Sequence, residues 1–382
     1  MFALSLGGFG IGTAEFVAMG LLPEVATSLD VSEPMAGHLV SAYALGVVVG
    51  APVLAAVTAR MPRRTLLLAL VAVFTLANLA TVVAPTYESV VAARFIAGLP
   101  HGAYLGVAAT VAAFMAPRGQ RAKAIALTML GLTCATVVGV PIATWIGQSV
   151  GWRGAFALVA ALGVITFLAL RAWVPDLVAM PRTSPVTEVG ALRRVQVWLT
   201  LGVGMIGGGG MFAVYTYVSS TLTEVSGLPR SLVPVALMVF GAGMVVGNLV
   251  GGRLADRGVI RALYLALASS ATALAVFVFA SHNAVAALIV LFCIGAAALA
   301  VTVPLQTRLM DVAADAQTLA ASLSHATFNL ANATGAWLGG VVVAAGLGYP
   351  ATAAAGAALA VGGLVVLTVS VAVDRRRRGA VR

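Results

Sequence analysis

The chain has 382 residues, of which 61% are apolar and only 9% charged. Soluble domains carry about 25% charged residues, and so few charges could not cover a soluble protein of this size. The formal net charge is +10, but the basic residues fall at the ends of apolar stretches and form no groove-like patch, so membrane topology accounts for them and a nucleic-acid partner does not.

A spanning helix needs about 20 mostly apolar residues. Twelve are expected, over roughly residues 2–24, 35–57, 65–84, 88–115, 122–147, 154–174, 197–222, 231–253, 260–280, 284–306, 317–344 and 350–373. No basic segment and no cleavage site precede the first, so it is read as a helix and not as a signal peptide. Short connections carry turn signals, such as "APTYES", "MAPRGQR" and "LGYP". The longest connection is polar and holds three prolines. The expected organisation is a six-helix bundle over 1–174, a cytoplasmic linker over 175–196, a second six-helix bundle over 197–373 and a basic cytoplasmic tail over 374–382. Cys134 and Cys293 both lie inside apolar segments, and no disulfide or metal-ligand spacing is visible.

Charge sets the orientation. With both termini inside, nineteen of the 22 basic residues face the cytoplasm, and Arg153 and Arg230 face outward. The remaining one, Arg94, lies within helix 4. The halves also match each other at a constant offset of 197: Gly50 with Gly247, Arg60 with Arg257, Arg64 with Arg261, Gly98 with Gly295, Gln120 with Gln317 and Gly151 with Gly348. Six helices per repeat is an even number, so the repeats are parallel, an arrangement that places a substrate site at mid-membrane between them.

In helix 1, "GTAEFVAMGLLPEVA" puts Glu15 inside an apolar run. A charge at the bilayer centre costs at least ~2.5–3.5 kcal/mol. Glu15 would lie roughly 13 Å deep and Arg94 roughly 9 Å deep. They are the two clearly intramembrane charges, and pairing them would offset much of the cost. A static pair that orders two helices and a proton site both fit. The 197 offset replaces Glu15 by Phe212 and Arg94 by Leu291, an asymmetry that favours the proton site. In "RFIAGLPHG", Arg94, Gly98, His101 and Leu105 form one helical stripe. His101 could relay protons, touch substrate or simply bond a neighbouring helix.

Helix 5 holds Gly139 and Pro141 at mid-span, where a small residue allows close approach and a proline bends the helix. "GGRLADRGVIR" joins helices 8 and 9, and there Asp256 and Arg257 beside Gly251 could latch one conformation or merely mark topology. Its first-half counterpart, "VTARMPRR", keeps Arg60 and Arg64 but has Ala59 and Pro62. Ser322, His325, Asn329 and Asn332 form a polar stripe on helix 11, which must face protein or a water-filled cavity. "MFAVYTYV" supplies Phe212, Tyr215 and Tyr217, suited to flat or lipophilic ligands and equally to packing. No phosphate loop, metal cluster or nucleophile triad appears. "GGGG" at 207–210 lies within a span and not after a strand.

With "GTAEFVAMGLLPEVA", "SAYALGVVVGAPV", "ARFIAGLPHGAY" and "GLTCATVVGVPIATWIGQSVGWRGAF" in place, the chain resembles the major facilitator superfamily over essentially its whole length. It is similar to the twelve-helix drug:H+ antiporter group, in the branch of chloramphenicol-resistance and sugar or arabinose-type efflux proteins. The resemblance implies an all-α fold of two six-helix bundles, alternating access, and a bacterial inner membrane with both termini cytoplasmic. It implies that Glu15 is the membrane-embedded helix 1 acid, Arg94 the helix 4 arginine tied to proton transfer, and Gly139 and Pro141 the antiporter motif. Gly251, Asp256 and Arg257 match the loop signature, with Gly50, Arg60 and Arg64 in its first-half region; Ala59 and Pro62 depart from it. The expected function is proton-coupled export of small, fairly lipophilic compounds, by a monomer without cofactor. Export of sugars or related metabolites is the alternative, and a non-transporting sensor or enzyme the rival class. Proton-coupling residues are Glu15, Arg94 and His101. Substrate-binding candidates are Tyr43, His101, Phe212, Tyr215, His325, Asn329 and Asn332.

Overall fold

The computed structural model describes residues 1–58, 61–117, 120–175, 193–313 and 317–379, and among them every regular element is helical. The twelve long helices are α1 (Phe2–Gly20), α2 (Glu33–Val57), α3 (Arg63–Val83), α4 (Tyr87–Met115), α5 (Arg121–Val150), α6 (Trp152–Trp173), α7 (Val195–Tyr215), α8 (Val233–Arg257), α9 (Val259–Ala280), α10 (Ala284–Ala313), α11 (Gln317–Ala344) and α12 (Pro350–Gly379). Among the described residues eleven of these are long and apolar enough to cross a membrane. The twelfth, α11, has the length but carries the polar stripe.

Local chemistry explains where the ends depart from expectation. α1 stops at Gly20, and Pro23 opens a separate short helix, Leu22–Leu29, which closes on Asp30 in the left-handed region (φ 54°). Aspartate tolerates that conformation better than most side chains. α4 begins on a capping box in which Thr86 and Ser89 satisfy each other's backbone N–H groups. α5 widens into a π-turn over Ala135–Gly139 before resuming at Val140. The widening precedes Pro141, which has no N–H to donate and whose ring clashes with the carbonyl four residues back in a regular helix. α10 breaks at Val301 and restarts with Pro304 in its first turn, where the missing N–H costs nothing. α7 ends at Tyr215, and α12 continues to Gly379, through residues expected to be tail.

The chain forms two compact units, Met1–Ser184 with Pro229–Met238, and Pro185–Leu228 with Val239–Arg382. In the first, Leu4 and Ile11 of α1, Leu67 and Phe74 of α3, Tyr104 and Leu105 of α4 and Val159 of α6 build the apolar core. In the second, Val203 of α7, Leu263 and Leu267 of α9 and Leu367 of α12 do so. Arg153 caps α3 by donating to the carbonyls of Val82 (3.1 Å) and Ala84 (2.9 Å), and a guanidinium suits the negative end of a helix.

Lipid tails are as apolar as leucine, so helices in a membrane associate through close packing at small residues. The 197-residue repeat is visible in that packing. A Cβ at Gly50 of α2 would lie 2.5 Å from Leu99 Cα and 2.6 Å from its carbonyl carbon; at Gly247 of α8 it would lie 2.8 Å and 2.7 Å from the same atoms of Ala296. Likewise Gly46 abuts the Phe95 carbonyl and Gly243 the Phe292 carbonyl, while Gly98 abuts that of Tyr43 and Gly295 that of Phe240. Every partner matches at the same offset, so α2 on α4 and α8 on α10 share one register.

Candidate functional site

In the first unit the charged residues of α1 and α4 meet. Glu15 is 2% exposed and Arg94 fully buried. Arg94 Nη2 donates to the Ala14 carbonyl oxygen at 2.9 Å, so the guanidinium is tied to the α1 backbone beside Glu15. Its carbon lies 4.3 Å from the centroid of the Tyr43 ring and 5.1 Å from that of Phe156. A desolvated cation over an aromatic face gains up to ~2 kcal/mol. The Glu15 carboxylate acts electrostatically on both Arg94 and Tyr43. Tyr43 Oη and His101 Nδ1 are 3.0 Å apart, both buried. Glu15, Arg94, Tyr43 and His101 therefore form one continuous polar cluster inside an apolar unit.

Two glycines place this cluster. Gly98, on the Arg94–His101 stripe, abuts the Tyr43 carbonyl and lets α2 approach α4. Gly139 abuts Thr13 Oγ1, and a Cβ there would lie 3.0 Å from Phe9 Cζ. The π-turn of α5 thus packs on α1 within one turn of Glu15. Tyr43, expected as a substrate contact, stands between Arg94 and His101. Phe156 was not anticipated, because one more aromatic in an apolar helix carries no distinguishing signal.

In the second unit, Phe212 meets Phe328 edge-on with centroids 5.0 Å apart. Tyr215 stacks on Phe240 at 4.1 Å and 19°. Asn329 Nδ2 bonds back to the His325 carbonyl of its own helix at 3.1 Å. Asn332 is fully buried, and neither its Oδ1 nor its Nδ2 has a hydrogen-bond partner among the described residues. His325 is half-buried. Asn329 and Asn332 therefore face protein, and α11 approaches α7 where Gly335 abuts the Gly209 carbonyl.

The loop motifs stand apart from both clusters. Asp256 and Arg257 are exposed at the last turn of α8, and no ion pair involves either among the described residues. Gly251 permits close approach to α10, with a Cβ 2.6 Å from the Ala300 carbonyl oxygen. Arg64 Nη2 donates to the Arg171 carbonyl at 2.6 Å, at the end of α6. Arg60 and the Ser322 side chain lie outside the described residues.

A network not anticipated from sequence joins α7, α10 and α12. Arg308 Nη2 reaches Asp374 Oδ2 at 3.3 Å and Gln196 Oε1 at 3.5 Å. Gln196 also bonds Ser370, accepting from its Oγ at 2.7 Å and donating to its carbonyl at 2.9 Å.

The family model of the Major Facilitator Superfamily matches residues 4–323. The chain belongs to the major facilitator superfamily. It is 42% identical to the inner membrane transport protein YdhP of Escherichia coli, over 97% of this chain and 94% of that one. It is 33% identical to a chloramphenicol resistance protein of Streptomyces lividans, covering 91% and 89%. It is 29% identical to a probable sugar efflux transporter of Helicobacter pylori, covering 91% and 90%. Among solved structures, a D-xylose-proton symporter matches with a TM-score of 0.72 at 17% identity, covering 95% of this chain and 96% of that one. A bacterial homolog of the lysosomal transporter Spinster matches with 0.74 at 16% identity, covering 97% and 94%. As a superfamily member the protein is an integral multi-pass membrane transporter and not an enzyme.

Proposed function

We propose that this transporter exports small, fairly lipophilic compounds in exchange for protons, by alternating access, from a bacterial inner membrane with both termini cytoplasmic. The observation that carries the reading is the Glu15–Arg94–Tyr43–His101 cluster. At the 197 offset these positions are Phe212, Leu291, Phe240 and Ala298. Packing alone would serve both halves alike, as the glycine contacts do; the polar cluster is confined to one. Intramembrane ionisable residues mark ion pathways, and Glu15 is the group that gains and loses the proton. Burial favours its neutral form, whereas the Arg94 guanidinium favours the carboxylate. Any change in wetting or in the Arg94 position between conformations shifts that balance and moves a proton. Tyr43 supports Arg94 through its ring and His101 through its hydroxyl.

Phe212, Tyr215 and the α11 amides, packed in protein here, are proposed to line the substrate site when another conformation of the cycle uncovers them. It has flat aromatic faces and no charged side chain, which fits neutral or amphipathic compounds. The likeness to a chloramphenicol resistance protein supports drugs. Export of sugars is the second reading, favoured by Asn332, whose unpartnered amide offers both a donor and an acceptor to a hydroxyl-rich ligand. Asp256 and Arg257 are proposed to latch one conformation by pairing in another state of the cycle. The test is uptake of chloramphenicol, and separately of a labelled sugar, into inverted vesicles under an imposed pH gradient. Accumulation that collapses with the gradient supports the reading. Accumulation indifferent to the gradient contradicts it.

A further inference from the structure

Glu24 opens the short helix that follows α1. Both of its carboxylate oxygens are buried, and Arg230 Nε lies 3.1 Å from Oε1. Arg230 is itself held: Gln148 Nε2, near the end of α5, donates to its carbonyl oxygen at 3.2 Å. Arg230 begins the single 3-10 turn Arg230–Leu232 that leads into α8. Two turns on, Leu237 is fully buried, and a Cβ at Gly20 would sit 2.7 Å from its Cδ1. Residues 229–238 belong to the first unit, although the rest of α8 belongs to the second.

We infer that Glu24 is a second proton-binding site, and that its protonation tightens a clasp, made with Arg230 and Gln148, that holds residues 229–238 on the first unit. The inference deepens the proton-coupled reading above and rests on it for its place in a transport cycle. Desolvating a carboxylate is expensive, and an ion pair to an arginine whose side chain is 58% exposed returns little, because water screens it. Burial is accordingly the largest influence on Glu24 and raises its pKa, against the opposing pull of its backbone hydrogen bond and of Arg230. If release wets the side chain, its pKa there returns to the ordinary value. The clasped form then has the higher proton affinity. It gains on the released form as pH falls and loses ground as pH rises through the raised value.

Arg230 is the charged group that acts on Glu24 among the described residues, and Gln148 is neutral. Arg153, at the start of α6, is committed to Val82, Ala84 and Ser28. Asp30 ends the short helix and Glu33 opens α2, and neither acts on Glu24. With both termini cytoplasmic the clasp faces outward. A proton arriving from outside would then close it, the step that must follow outward release of a cargo.

The test needs no transported compound. Leu237→Cys, in a background lacking Cys134 and Cys293, is labelled with a small water-soluble thiol reagent from pH 5 to 8. Each rate is divided by that of the same protein carrying Glu24→Gln, which cancels the thiol's own titration. The ratio should rise with pH. Arg230→Met leaves the buried carboxylate without its cation, so labelling at pH 8 should be roughly two- to fivefold faster than in the parent, with the difference shrinking as pH falls. Reversing both charges, Glu24→Arg with Arg230→Glu, should restore protection at pH 8. A ratio that is flat with pH, or Arg230→Met labelled no faster than its parent at pH 8, overturns the inference. Either result would leave gradient-driven export untouched.

Discussion

Gly98→Ala perturbs the cluster through one methyl group. In α4 the new Cβ would overlap the Tyr43 carbonyl oxygen and lie 3.0 Å from its carbonyl carbon and 3.1 Å from Val47 N. All three are backbone atoms of α2, so no side chain can swing away. Carbon contacts prefer about 3.5–4.0 Å, and the helices must separate by up to ~1 Å. A gap of that size forfeits a quarter to a half of each contact's ~0.1–0.2 kcal/mol, and over dozens of atom pairs the loss reaches about 2–3 kcal/mol, the upper range for overpacking. Alanine's better helix propensity returns about 1 kcal/mol. The net loss of about 1–2 kcal/mol lowers Tm by roughly 3–6 °C. Gly106, two turns along the same helix, has nothing within 4 Å of a Cβ, so Gly106→Ala should melt at or slightly above wild type. Because Tyr43 carries the Arg94 and His101 contacts, Gly98→Ala should also slow transport roughly tenfold or more, whereas Gly106→Ala should not. Thermal melts in detergent and vesicle uptake read both effects. If the two alanine variants melt within a degree of each other and transport alike, the packing argument fails.

Asn332→Leu removes two buried unpartnered groups, each costing about 1–3 kcal/mol; Tm should rise while transport falls, and a variant with wild-type export would exclude Asn332 from substrate binding. Arg308→Met strands Asp374 and part of Gln196 and should destabilise the protein by about 2–4 kcal/mol, with Asp374→Asn in the same chain partly restoring its melting temperature. Asp256→Asn should leave Tm unchanged, as the residue is exposed, yet impair transport; wild-type rates in that variant would remove the latch.

Hydropathy reveals eleven of the twelve helices, because a bilayer demands long apolar runs; α11, diluted by its polar stripe, is marked by its length between turn signals. Their ends are less legible. "LLPE" reads as a continuation of helix 1, whereas Pro23 starts a helix of its own. The repeat was legible because glycine has no alternative where backbones touch: Gly50 and Gly98 recur as Gly247 and Gly295 at the same contacts. Glu15 and Arg94 stood out as charges in apolar text. Their arrangement did not, since Arg94 also donates to a main-chain carbonyl, a bond that no side-chain pattern encodes. Tyr43 likewise looks like any membrane aromatic until His101 is seen at its hydroxyl. Glu24 with Arg230, and Gln196 with Arg308, Ser370 and Asp374, join segments far apart in sequence and leave no local signature.

Proton release on substrate binding tests the central claim most directly. Purified wild-type protein in weakly buffered detergent solution is mixed with chloramphenicol, and the pH change is read with an indicator dye. Glu15→Gln keeps the shape of the side chain and holds it neutral. Wild type should release protons on binding, and Glu15→Gln should bind the compound with no release. Equal release from both proteins would place the coupling proton elsewhere and contradict the account.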